Sequence, residues 1–280
     1  MTIDFQATER LLSFDQTPLF WRKHLPDSPK AHVIIVHGFS EHGGRYAHVA
    51  EYLAGKGYGV WAMDNRGHGR SAGKRGHVLE YSEYVRDLAV FHELVADQSG
   101  SEQVHLLGHS NGGLISLCFA LAHPSKLKTL CLSAPLLALS KEVPAIKMWA
   151  GRTIAKFAPS FTMANDLVPD ELTHDPAMIE AYLADPLIFH ELTVGWFQAM
   201  ESASEDARSR GAQVELPLLM QLGGSDPVVS TPAAQRFFET VASKDKEIHT
   251  YEGFYHEIYN ETERATVMDH LGAWLDRHEG

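Results

Sequence analysis

A serine between glycines is the pattern in this chain with the clearest chemical meaning. The pentapeptide 108–112, Gly-His-Ser-Asn-Gly, follows an apolar run at 104–107 and precedes a helical stretch at 114–122. Small residues on both sides allow a strained strand-to-helix turn in which the serine hydroxyl stands clear of the backbone. Open parallel sheets place their sites at the carboxyl ends of strands, so this position predicts that Ser110 is a nucleophile.

A serine nucleophile needs a base, and the base needs an acid to orient it. For a turn of this kind the expected order along the chain is serine, acid, histidine. Asp226 lies on a Gly-Gly-Ser-Asp-Pro turn directly after the run 218–222, and His256 follows the last predicted strand. No carboxylate follows the strand before 218–222, where Ser-Ala-Pro stands instead. The order predicts a triad of Ser110, Asp226 and His256.

Two backbone N–H groups are expected to stabilise the negatively charged oxygen of the tetrahedral intermediate. One is predicted at Asn111, which follows the nucleophile at the start of a helix. The other is predicted at Phe39, in the loop His-Gly-Phe that follows the run 33–36. We interpret His37 in that loop as a structural hydrogen-bonding residue rather than a proton-transfer group.

The elements that position these residues alternate along the chain. Short β-branched runs with helical stretches between them predict a mostly parallel sheet with helices on both faces, an α/β fold. Residues 8–13 and 18–24 predict an antiparallel hairpin at the sheet edge. An amphipathic C-terminal helix is predicted from about 257 to 277, opened by His256.

A long insertion interrupts this pattern. About 80 residues without convincing strand runs separate the strand ending near Leu132 from the one that begins at 218, too many for an ordinary connection. We interpret residues 136–207 as a helical cap over an α/β core formed by residues 1–135 and 208–280.

Part of the cap carries an apolar stripe at helical spacing. Three interpretations remain open: the stripe lines a slot for an acyl chain, dips into a lipid surface, or packs the cap on the core. Three basic residues beside it favour anionic lipid surfaces, but ten acidic residues downstream oppose them, so at most weak, transient membrane contact is expected. The candidate substrate-binding residues of the stripe are Ile146, Trp149, Ile154, Phe157 and Phe161.

Composition narrows the function classes. The chain has 280 residues and a formal net charge of −12, which disfavours nucleic-acid partners. Its two cysteines lie in apolar runs, and its histidines and cysteines show no metal-ligand spacing, so neither a disulfide scaffold nor a metal or cofactor is expected. The N-terminus has no secretory pattern, and no apolar run approaches the roughly 18 residues of a membrane span. A cytoplasmic protein is expected, with its oligomeric state open.

Five strings in the chain together carry a resemblance to a known family. They are HGFSEHGGRY at 37–46, DNRGHGRS at 64–71, GHSNGG at 108–113, GGSD at 223–226 and YEGFYHE at 251–257. On these strings the chain from about residue 8 to 278 is similar to the monoacylglycerol lipase and lysophospholipase branch of the α/β-hydrolases. The string at 37–46 is the most specific, because other α/β-hydrolases keep the serine turn without it.

The resemblance implies the α/β-hydrolase fold and a serine carboxylic-ester hydrolase. Its substrates would be monoacyl lipid esters, monoacylglycerol or lysophospholipid, cleaved through a Ser-His-Asp triad and an acyl-enzyme. The chain departs from the family at Asn111, where methionine is usual; because the role uses the backbone N–H, activity is expected to survive. The alternative is an aminopeptidase or amidase on the same fold, since an acidic cap would suit a substrate's ammonium group.

Overall fold

An eight-stranded sheet runs through the centre of the protein. The computed structural model describes residues 6–141 and 145–279. The strands of the protein are β1 (Gln6–Leu12), β2 (Pro18–His24), β3 (Ala31–Val36), β4 (Tyr58–Met63), β5 (Val104–His109), β6 (Leu127–Ser133), β7 (Thr162–Ala164), β8 (Glu191–Thr193), β9 (Leu218–Gly223) and β10 (Lys246–Tyr251). In the central sheet they lie in the order β1-β2-β4-β3-β5-β6-β9-β10, and β7 and β8 lie outside it. The pairs β1–β2 and β2–β4 are antiparallel and every other pair of the central sheet is parallel. The mostly parallel sheet and its edge hairpin are therefore confirmed.

Helices cover both faces of this sheet. Every residue of β3, β4, β5 and β9 is buried, as expected for parallel strands enclosed on both sides. One apolar core lies under α2, α3 and α7, and a second lies under α1 and α8. Within the described ranges, no helix combines the length and apolar character needed to cross a membrane. The helices are α1 (Ala47–Gly55), α2 (Ser82–Ser99), α3 (Asn111–Ala122), α4 (Ala145–Phe157), α5 (Pro176–Ala184), α6 (Val194–Ser209), α7 (Thr231–Thr240) and α8 (Arg264–Asp276).

Neighbouring parallel strands bring the predicted site residues to one edge of the sheet. β3, β5, β6, β9 and β10 are adjacent, so their carboxyl ends share that edge. Phe39 follows β3, Ser110 follows β5, Asp226 follows β9 and His256 follows β10. Residues that are far apart in the sequence thus meet because their strands pair.

The segment between β6 and β9 contains α4, α5 and α6, and also a separate two-stranded sheet that the sequence analysis did not predict. β7 and β8 pair antiparallel, with Met163 opposite Leu192. Each of the two strands has only three residues, too few to show an alternating pattern. The predicted cap boundary at 207 falls inside α6, and the division into core and cap remains a prediction.

The predicted start of the C-terminal helix was wrong. α8 begins at Arg264, and residues 258–260 form a separate 3-10 turn. His256 lies in the loop before that turn, where the N–H of Glu257 donates to the carbonyl of Leu172 at 2.8 Å. This hydrogen bond holds the backbone at residue 257 against the inserted segment. The C-terminal helix therefore does not extend back to His256.

Candidate active site

The backbone at Ser110 has the strained geometry that the glycine pattern predicted. Its φ of 54° and ψ of −117° lie where few non-glycine residues are found. The Ser110 N–H donates to the carbonyl of Ser133 at the end of β6 at 2.9 Å. A Cβ at Gly108 would overlap the carbonyl oxygen of Gly112, and one at Gly112 would overlap the carbonyl of Val36. Only glycines at both positions let the turn pack this closely.

His256 and Asp226 form a buried pair next to this turn. His256 Nδ1 lies 2.8 Å from Asp226 Oδ2, and the two side chains are 5% and 0% exposed. The other carboxylate oxygen accepts the N–H groups of Val228 and Val229 at 2.8 and 2.9 Å. Because Oδ2 is an acceptor, His256 donates from Nδ1 and keeps Nε2 as its basic atom.

Each residue of this pair also shifts the pKa of the other. Burial lowers the pKa of His256, but the Asp226 carboxylate outweighs this effect and the pKa lies above the ordinary value. Burial raises the pKa of Asp226, yet His256 and the two backbone N–H groups bring it below the ordinary value. The aspartate is thus held ionised beside the histidine.

Hydrogen bonds from the His37 ring and from Glu41 hold the loop that follows β3. His37 Nε2 accepts the N–H of Asn65 at 2.8 Å, so its Nδ1 carries the proton and donates to the carbonyl of Gly38 at 2.7 Å. The Gly38 N–H donates to Glu41 Oε1 at 2.6 Å. Burial lowers the pKa of His37 well below its ordinary value, so its ring stays neutral. This geometry matches the structural role expected for His37, which holds the Phe39 loop.

Asn111 occupies the first position of α3 and is fully buried. Its Oδ1 accepts a hydrogen bond from the Tyr81 hydroxyl at 2.7 Å, and its backbone carbonyl lies 3.2 Å from the same hydroxyl. A polar residue here therefore has a polar partner. No sequence pattern indicates that Tyr81 lies beside Asn111, because the two residues are 30 positions apart in the chain.

A buried ionic cluster lies beside His256. Arg45 donates to Glu41 Oε2 at 2.7 Å and to both oxygens of Glu257 at 2.6 and 2.7 Å. Although burial raises the pKa of Glu257, Arg45 brings it down to about 2. Burial raises the pKa of Glu41 above its ordinary value, and Arg45 only partly opposes this. Glu41 lies four residues from Arg45 in the chain, but Glu257 lies 212 residues away, so no spacing rule points to this second partner.

Two adjoining apolar cavities share part of their walls, and the first of them opens beside Ser110. The first has a volume of about 130 Å³ and is lined by Ser110, His256 and Phe39 among others. The second has a volume of about 340 Å³ and extends under β7 and β8. A second cavity of this size is in the range of about 300–1,000 Å³ typical of small-ligand sites. The wall residues common to both cavities are Leu139, Asn165, Leu167, Leu192, Phe197 and Val228.

Comparisons with known proteins agree with this geometry. The family model Hydrolase_4, described as "Serine aminopeptidase, S33", matches residues 27–263. The chain belongs to this family. A monoacylglycerol lipase of Mycolicibacterium smegmatis is 33% identical over 255 residues, 90% of this chain and 91% of that protein. Phospholipase YtpA of Bacillus subtilis is 31% identical over 254 residues, 90% of this chain and 97% of that protein.

A solved structure shows that the similarity to these relatives includes the three-dimensional fold. The crystal structure of the monoacylglycerol lipase of Paleococcus ferrophilus superimposes with a TM-score of 0.86 at 30% identity, over 93% of this chain and 99% of that one. The α/β-hydrolase fold and the resemblance to the monoacylglycerol lipase branch are therefore confirmed. So is the expected enzyme class, a carboxylic ester hydrolase.

In this hydrolase, the apolar stripe lies on the surface instead of around the cavities. Trp149 is 66% exposed and Phe157 86% exposed, and Ile154 and Phe161 are also exposed. None of these four side chains lines either cavity. The side chain of Ile146 lies outside the described part of the structure. The interpretation of the stripe as the wall of an acyl slot does not fit this arrangement, because α4 packs on α6 and the cavity walls come from other residues.

Proposed function

We propose that the protein is a serine esterase that hydrolyses monoacyl lipid esters, with monoacylglycerol as the preferred class. The observation that carries the proposal is a pair of adjoining apolar cavities, of which the first is lined by Ser110. One acyl chain would enter the first cavity and continue into the second. Each methylene transferred from water into such a cavity is worth about 0.8 kcal/mol, so chain length should govern substrate choice.

The proposed reaction uses Ser110, His256 and Asp226 in two half-reactions. His256 Nε2 takes the proton of the Ser110 hydroxyl while the serine oxygen attacks the ester carbonyl. The N–H groups of Phe39 and Asn111 stabilise the resulting oxyanion. The bond to the alcohol then breaks, and His256 gives its proton to the leaving oxygen. His256 then takes a proton from a water molecule that attacks the acyl-enzyme carbonyl, and it returns this proton to the Ser110 oxygen as the bond to the fatty acid breaks.

Charge in the first cavity supports an uncharged leaving group. Glu41 and Glu257 lie in its wall, and both carboxylates are already paired with Arg45. Among the residues that the structure describes, no lysine or arginine lines this cavity. A glycerol leaving group suits this environment better than a glycerophosphate, which would need a cation. An ammonium group would need an unpaired carboxylate, so the occupied pair also disfavours an aminopeptidase.

We further propose that residues 136–207 act as a cap that completes the site. The ring of Trp196, in α6, lies 3.9 Å from the ring of Phe39. Asp185 accepts a hydrogen bond from His42 Nε2 at 2.7 Å, which ties the end of α5 to the loop after β3. The exposed Trp149 and Phe157 would give the cap a weak, transient contact with lipid surfaces.

A chain-length series tests the proposal. Hydrolysis of p-nitrophenyl esters from acetyl to decanoyl should show kcat/KM rising to octanoyl or beyond, by at most about fourfold per methylene. Leu167→Trp, at the junction of the cavities, should remove the rise while acetyl ester hydrolysis persists. Leu183→Trp is the matched control, since Leu183 is an exposed leucine of the same segment.

The same experiment separates the alternatives. Monoacylglycerol should be hydrolysed faster than lysophosphatidylcholine, and an amino-acyl anilide should be cleaved slowest. A kcat/KM that falls steadily from acetyl ester onward would contradict the lipid-ester proposal. Faster cleavage of the anilide than of any ester would favour the aminopeptidase.

A further inference from the structure

A buried carboxylate outside the triad holds the residue that precedes the catalytic histidine. Glu261 is 1% exposed, although it lies in a loop between the 3-10 turn and α8. Its Oε1 accepts the backbone N–H of Tyr255 at 2.8 Å and lies 2.9 Å from His174 Nδ1. Its Oε2 accepts the backbone N–H of His174 at 3.0 Å. One carboxylate thus joins the His256 loop to residue 174 of the inserted segment.

Further contacts join the loop around His256 to the segment 172–174. On the other side of His256, the N–H of Glu257 donates to the carbonyl of Leu172 at 2.8 Å. The Thr173 hydroxyl donates to the carbonyl of Asn260 at 2.8 Å, and the rings of His174 and Tyr255 lie 3.8 Å apart. Both residues that flank His256 are therefore held by the segment 172–174 or by the carboxylate that binds it.

The same segment reaches the substrate cavity. Leu172 lies in the wall of the first cavity, and its side chain is buried there. Its carbonyl is the acceptor for the residue after His256. The wall that would contact a substrate and the loop that carries the base are therefore one hydrogen-bonded unit.

We propose that Glu261 is a positioning residue for the base: it fixes the His256 loop against the segment 172–174, so that His256 stays aligned with both Asp226 and Ser110. The proposal rests on the proposed function only for the role of His256. Catalysis is sensitive to such alignment, because a displacement of about 1 Å in a reacting group can cost about a hundredfold in rate.

The hydrogen bonds at position 261 require a carboxylate and not an amide. Both oxygens face N–H donors, and a carboxylate accepts at both positions. Glutamine has the same shape but only one acceptor oxygen, so in either orientation its NH₂ group would face a donor. Glu261→Gln should therefore break the hydrogen bonds to one of the two oxygens, without leaving a cavity in the core.

Steady-state kinetics on p-nitrophenyl butyrate test the role. In Glu261→Gln, kcat should fall about tenfold to a hundredfold while KM stays within about twofold, because alignment and not substrate binding is lost. Glu263→Gln removes the same charge two residues away, at an exposed position, and should retain wild-type kcat. His174→Ala removes one donor and the ring contact on Tyr255, and should lower kcat in the same direction by a smaller factor.

A second readout does not depend on the substrate. The proton between His256 Nδ1 and Asp226 should give a low-field ¹H NMR signal in the wild type and in Glu263→Gln. In Glu261→Gln this signal should broaden or move upfield. If Glu261→Gln does not fold, the ¹H NMR signal of His174→Ala is compared with that of the wild type instead, and the same change is expected. An unchanged signal and an unchanged kcat, even with a lower Tm, would overturn the positioning role. A wild type that shows the signal but hydrolyses no ester would contradict the proposed function instead.

Discussion

Asp226→Asn is the substitution whose effect follows most directly from the hydrogen bonds at the site. Asp226 Oδ1 accepts two backbone N–H groups, from Val228 and Val229, while Oδ2 accepts His256 Nδ1–H. In asparagine the single oxygen should stay with the two backbone donors, because they are fixed and buried. The NH₂ group then faces His256 and can only donate to Nδ1. The ring would move its proton to Nε2, the atom that must accept from Ser110.

The size of the loss can be worked out from the same bonds. To restore the productive tautomer, the amide must turn and present its NH₂ to the N–H groups of Val228 and Val229. Leaving two buried donors unsatisfied costs about 1–3 kcal/mol each, so the productive form should be disfavoured by about 2–6 kcal/mol. This range corresponds to a fall in kcat of about 30-fold to 10⁴-fold.

Hydrolysis of p-nitrophenyl butyrate near pH 8 measures this loss. Asp276→Asn is the control, since it makes the same change of charge at the end of α8, where Asp276 pairs with Lys30 at 2.8 Å. The control should keep wild-type kcat, and thermal unfolding should show that Asp226→Asn is folded. A folded Asp226→Asn variant with turnover within threefold of wild type would refute the assignment of Asp226 as the orienting acid.

Three more outcomes follow from the site and its surroundings. Because the base must be neutral and the pKa of His256 is raised, kcat/KM should increase with pH through a midpoint above 6.5, and a midpoint below 6 would contradict the pairing with Asp226. Gly112→Ala should lower stability by about 1–3 kcal/mol and abolish activity, measured by thermal unfolding and esterase assay, because its Cβ overlaps the backbone of β3. Replacing the exposed Phe157 and Phe161 by Ser should slow hydrolysis of vesicle-bound monoacylglycerol and leave dissolved p-nitrophenyl esters unaffected.

The sequence predicted the parts of the fold that depend on local pattern. Parallel strands show as apolar runs, and the turn at Ser110 is marked by the glycines that its close packing requires. Because parallel strands end at one edge, placing Asp226 and His256 after strands was enough to predict that they lie close together, and the two side chains are 2.8 Å apart.

The sequence did not predict features that depend on which elements pack together. Glu257 binds Arg45 from the opposite end of the chain, and no spacing rule connects them. The stripe on α4 has the period of a buried helical face, yet Phe157 is 86% exposed, because periodicity tells which residues share a face and not what covers it. The helix predicted from 257 begins at Arg264, since tertiary hydrogen bonds hold the His256 loop in another conformation.

Covalent labelling by a fluorophosphonate tests the central claim, nucleophilic catalysis by Ser110, most directly. The probe should add once per chain, and peptide mapping by mass spectrometry should place the adduct on Ser110. Ser110→Ala should fold, take up no label and lose about three or more orders of magnitude in kcat. An adduct on another residue, or undiminished labelling of Ser110→Ala, would contradict the account.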